Sequence, residues 1–80
     1  MDGTSTLLAL TGRLPRDQRD LALAVCIEVI AIAPELPGDH PGRAARSAAL
    51  LLLELALPGA DLLLRNDLAH ACERAVVLPS

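Results

Sequence analysis

The chain is expected to be all-α, a small helical bundle of one short N-terminal helix and three helices of about 17 residues. Two observations lead there. The dipeptide Leu-Pro recurs at 14–15, 36–37, 57–58 and 78–79, its prolines 22, 21 and 21 residues apart, and proline ends a helix or opens its first turn. The segments between these marks carry apolar residues at helical rather than alternating spacing, and each has an acid or a proline at its start. Their interiors do not resemble one another, so the spacing reflects equal helix lengths and not an internal repeat.

The first element is "TSTLLALTG", read as a helix of about two turns with Thr4 or Ser5 as its cap and Gly12 as its stop. Residues 15–33, "PRDQRDLALAVCIEVIAIA", form the first long helix and end at Pro34. Its β-branched stretch, 25–32, would also suit a buried strand. Thirteen mostly apolar residues after a charged turn are too many for one, and length decides for helix. The second long helix begins at Asp39, an N-cap, with Pro41 in its first turn, and runs to Leu57. The third follows Pro58-Gly59, is capped by Asp61 and ends near Val77. Asp39 with Arg43 and Asp61 with Arg65 repeat one spacing, an acid bridging to an arginine four residues on.

A projection at 100° per residue separates the faces. In the last helix Leu64, Leu68, Ala71, Cys72, Ala75 and Val76 form one stripe, with Asn66, Asp67, His70, Glu73 and Arg74 around the rest. In the second long helix the polar strip is narrow: Arg43, Arg46, Ser47 and Glu54. In the first, beyond Asp20, Glu28 alone interrupts an apolar surface, and a helix apolar all round belongs in the middle of something. A carboxylate at Glu28 must find a partner such as Arg46, reach solvent at an edge, or shift its pKa.

Eighty residues make a single helical domain, 1–80, with a thin stability margin. Hydrophobic residues are 52% of the chain and none is Phe, Trp or Tyr, so the core is aliphatic and disorder is ruled out. Two other long helices and a short one can cover about two faces of the first long helix. Each Leu or Ile left wet forgoes about 1.5–3 kcal/mol, so self-association or a partner is expected. Core and interface are expected at Ile27, Ile30, Ile32, Leu50, Leu51, Leu53, Leu55 and Leu57. The competing arrangement is a closed four-helix monomer covered by its own N-terminal helix.

Charge and residue types exclude several classes. A net charge of −3 and a pI near 5.1 argue against nucleic-acid and membrane partners, and the lack of aromatics removes base stacking. All seven basic residues are arginine, as a GC-rich coding sequence would give. Cys26 and Cys72, 46 positions apart with no CxxC spacing, read as small buried hydrophobes rather than a structural disulfide. An acid stands at position 2, where a signal peptide has basic residues, and the longest uncharged apolar stretches, 21–27 and 48–53, are too short for a membrane helix, so the cytoplasm is expected.

Chemistry is sparse. Asp67, His70 and Glu73 have helical spacing, but the i+4 position that a second histidine would fill holds Arg74, so no metal site is expected. His40 precedes Pro41 in a loop, and Cys72 and His70, two apart, point away from each other on a helix. The glycines at 38, 42 and 59 fall in turns without forming a phosphate-cradling loop. Arg13, Arg16 and Arg19 make a basic ridge interleaved with Asp17 and Asp20, suited to the rim of an acidic protein partner. No enzyme activity, cofactor or small-molecule substrate is expected. The expected function is protein–protein interaction through an apolar helical face: a small adaptor, chaperone-like or inhibitor subunit, self-associating as a homodimer or bound to another helical protein. The alternative is an acidic helix-turn-helix DNA-binding regulator presenting Arg65, Asn66, His70 and Arg74, opposed by Asp61, Asp67 and Glu73 on the same helix.

Overall fold

A computed structural model describes residues 3–77, in the order α1 (Gly3–Thr11), α2 (Arg16–Ile32), a 3₁₀ turn (Ala33–Glu35), α3 (Pro41–Ala56) and α4 (Leu62–Val77). No strand occurs among the described residues, and the β-branched stretch of α2 is helical throughout. The Leu-Pro pair at 78–79 lies outside the described residues. The Cα radius of gyration is 11.5 Å, against about 11.6 Å for a compact domain of this length, so the chain folds back upon itself.

Proline and aspartate set most of the boundaries. Pro15 stands at the N-cap of α2 with φ −54° and ψ 150°, the extended conformation that feeds a helix start. Pro34 sits in the 3₁₀ turn directly after α2, where its missing N–H cannot continue the ladder. Gly38 turns the chain toward α3 at φ 117°, a conformation that L side chains rarely adopt. At α4, Asp61 caps as expected: its Oδ1 accepts the backbone N–H of Leu63 at 3.0 Å.

Four local expectations are corrected. Thr4 and Ser5 lie inside α1, which already begins at Gly3, so neither is its N-cap. The N-cap of α3 is His40, not Asp39, because Pro41 is the first helical residue, and no side chain caps that end. Gly42, expected in a turn, is a buried member of α3's first turn. Neither Asp39–Arg43 nor Asp61–Arg65 forms an ion pair: Asp39 lies before the helix proper, and the Asp61 carboxylate is engaged by the helix N-terminus.

The larger correction concerns which helix is central. Despite its apolar circumference, α2 buries only one face, Ala22, Cys26 and Val29, continued by Ala33. Glu28 is exposed and reaches solvent, while Arg46, its expected partner, pairs with Glu73 instead. The middle position belongs to α4, which packs on all three other helices and most extensively on α3. Its Leu64, Leu68, Ala71 and Cys72 are buried as the helical projection requires, and so is Ala69, outside that stripe. α3, its most extensive neighbour, buries Gly42, Ala45, Ala49 and Leu53, a row dominated by small residues of the kind that lets helix backbones approach closely.

The short helix α1 closes the bundle with Leu7 and Thr11, both buried. Thr11 satisfies its hydroxyl by donating from Oγ1 to the Leu8 carbonyl at 3.2 Å. Arg19 holds the α1–α2 link: its Nη2 donates to the carbonyls of Gly12 and Leu14, 3.3 Å each.

Two outcomes follow from this packing. Ala49→Leu forces extra carbon into the close α3–α4 contact and costs about 1–3 kcal/mol, whereas Leu51→Ala, on the opposite face, changes the stability of the dilute protein by less than about 0.5 kcal/mol. Urea titrations of the two variants give that order; the reverse order contradicts the seam described here. Asp61→Ala removes the cap of α4 at a cost of about 1 kcal/mol, read as a lower thermal midpoint with helicity retained.

Candidate functional site

The feature that stands out is apolar and exposed. Leu8, Leu21, Ile27, Leu51, Leu52, Leu55, Leu62 and Leu63 all lie open to solvent. Single exposed leucines are ordinary, but a gathered set is not. Five of the eight belong to one end of one hairpin: Leu51, Leu52 and Leu55 occupy the last two turns of α3, and Leu62 and Leu63 the first turn of α4. The connecting residues, 57–61, bring those two helix ends together. Leu55 and Leu63 are each 71% exposed, so their side chains are almost as wet as in the unfolded chain.

The local cause on α3 is geometric. Gly42, Ala45, Ala49, Leu53 and Leu57 follow the inward stripe, and residues two positions from Leu53 on either side point the other way. Leu51 and Leu55 are those residues. On α4 the inward stripe starts at Leu64, which leaves Leu62 and Leu63 outside it, beside the Asp61 cap.

The eight residues expected at core and interface divide accordingly. Ile27, Leu51 and Leu55 are exposed. Ile30 and Leu50 are half-buried against the core, and Ile32 is half-buried. Leu53 and Leu57 are buried in the chain's own core. Leu52, Leu62 and Leu63, absent from that set, are part of the exposed surface. The signal for Leu62 and Leu63 was present, since both fall off the stripe drawn through Leu64, Leu68, Ala71 and Cys72.

The polar residues of α4 are drawn into separate pairs. Asp67 meets Arg13 of the α1–α2 link at 4.0 Å. Glu73 Oε1 lies 3.9 Å from Arg46 of α3 and 3.8 Å from His70 Nδ1. Asp67 and Glu73 therefore face different neighbours, and among the described residues no group of three or more His, Cys, Asp and Glu is placed to hold a metal ion. Of the residues set against DNA bases in the helix-turn-helix reading, Asn66, His70 and Arg74 are exposed, but Arg65 is half-buried with its Nε enclosed and without a partner. Among the described residues no helix is long and apolar enough to cross a membrane.

One further pair lies inside. Cys26 of α2 and Cys72 of α4 are both free and fully buried. Interaction with Cys72 lowers the Cys26 pKa against the opposing effect of burial. Interaction with Cys26, reinforced by burial, pushes the Cys72 thiol up.

The fold and surface thus define a small α-helical bundle with a solvent-facing leucine cluster at one hairpin end. Comparison with known proteins finds no matching family model, no matching curated protein and no matching solved structure.

The ion pairs described above are long and largely exposed, and such pairs contribute about 0–1 kcal/mol each. In about 1 M salt, where the screening length falls to about 3 Å, the thermal midpoint is expected to stay within a few degrees of its low-salt value. A large drop would mean that charge, not apolar packing, holds α1 and α3 to α4.

Proposed function

We propose that this chain is a protein–protein interaction module whose apolar hairpin end docks a second copy of itself. The observation that carries the reading is the cluster of Leu51, Leu52, Leu55, Leu62 and Leu63 around the α3–α4 turn. Burying a leucine side chain gains about 1.5–3 kcal/mol, so two or three per copy are enough to offset the cost of association for a modest dimer. A second copy is the occupant that the surface chemistry favours. The five leucines carry no charge that would repel an identical face, and a two-fold contact places the same patch on both subunits. An ordinary stable contact takes about 800 Å² from each partner, a modest share of the 5195 Å² that the chain exposes. With no aromatic anchor in the sequence, affinity derives from area and aliphatic shape, with charges such as Glu54 left at the rim.

Light scattering coupled to gel filtration tests the reading. The expected mass at high concentration is twice 8.4 kDa, returning to the single-chain value in the double variant Leu51→Glu, Leu55→Glu with helicity and thermal midpoint unchanged. A mass of 8.4 kDa that persists at high concentration, with no binding of an apolar dye, overturns self-association through this face.

A further inference from the structure

We propose that the self-association described above is an antiparallel pairing of α3 with α3 of a second copy, in which Glu54 of each chain meets the partner's Arg43. The inference rests on the proposed dimer and adds its geometry: which helix, which direction and which register. Two features of α3 carry it, one electrostatic and one steric.

Two charges stand at the wrong ends of their helix. α3 runs Pro41–Ala56, with Arg43 in its first turn and Glu54 in its last, and it has no acid in the first turn and no base in the last. The N-terminal end of a helix carries a partial positive charge and the C-terminal end a partial negative one, so both side chains oppose the macrodipole. Neither is compensated within the chain: both are exposed, and no ion pair engages either among the described residues. Arg46, by contrast, pairs with Glu73 of α4. Arg43 and Glu54 lie 11 positions apart, and at 100° per residue they fall within about 20° of each other on one flank of α3. In a two-fold antiparallel pair the same flank of both helices meets, and the C-terminal end of one lies beside the N-terminal end of the other. Each misplaced charge then gains an opposite charge and the complementary end of the neighbouring dipole. A parallel pair sets like beside like at both ends.

Shape selects the register. Ala44, Ala48, Leu51 and Leu55 follow one another at steps of 4, 3 and 4 residues, a strip about 60° wide beside that flank. The two leucines are exposed and the two alanines half-buried. A two-fold axis midway between Ala48 and Leu51 sets Ala44 against the partner's Leu55 and Ala48 against the partner's Leu51, so each large side chain meets a small one. The same axis offsets Glu54 from the partner's Arg43 by about 3 Å along the helix, well within the reach of two long side chains.

Sedimentation equilibrium of the full chain at low salt tests the pairing, with Arg43→Glu, Glu54→Arg and the double variant. Each substitution gives its helix end the sign that the dipole favours, so the dilute monomers keep their helicity. The expected dimer is weakened about tenfold by either single change and restored to within about threefold of wild type by both together. In about 1 M salt most of the difference disappears. A wild-type chain that stays monomeric overturns the dimer and this geometry with it. A wild type that dimerises while the single variants associate as tightly, or while the double variant is no tighter than the singles, overturns the antiparallel α3 pairing and leaves the apolar docking face standing.

Discussion

Close approach of α3 and α4 over small side chains is the constraint on which the rest of the molecule depends. α3 buries Gly42, Ala45 and Ala49, and α4 buries Ala69, Ala71 and Cys72, so the most extensively packed pair of helices is rich in small buried side chains. Two helices that fit this closely gain dispersion along their whole length without any large side chain. Once the seam is set, Leu53, Leu57, Leu64 and Leu68 have one direction in which to point, and they fill the core. α1 then packs on α4, and α2 on both α3 and α4.

The same economy explains the exposed leucines. A core made of alanine, cysteine and a few leucines is narrow, and a narrow core has little circumference to offer the remaining large residues. Leu51 and Leu55 are pushed outward because Ala49 and Leu53 take the inward positions of the same two turns. The apolar surface at the hairpin end is thus the counterpart of the small-residue seam. A domain that buried those leucines instead would have to separate α3 from α4 and give up the contact that organises it.

Polar groups play a supporting part throughout. Arg19 ties down the α1–α2 link through two carbonyls, Thr11 satisfies itself within α1, and Asp61 caps α4. The ion pairs to Asp67 and Glu73 join helices that packing has already brought together. Only at Glu73 do two of these groups, Arg46 and His70, meet one oxygen.

By itself the sequence determined the helical class, the number of helices and most of their ends. Those features are local: proline removes a donor, aspartate accepts from a free N–H, and thirteen apolar residues exceed a strand. It also determined that apolar surface would be left over, because composition and length alone fix how much can be hidden. What only the tertiary structure decided is which residues carry that surface and which helix lies at the centre. On α3 the sequence offers an alanine stripe through 45 and 49 and a leucine stripe through 51 and 55, and hydropathy favours the second. Packing favours the first, since interior position is won by complementary shape at short range and not by apolar content. For the same reason α2, apolar on nearly every side beyond Asp20, lies at the side with Glu28 in water, while α4, with polar residues around much of its circumference, occupies the middle.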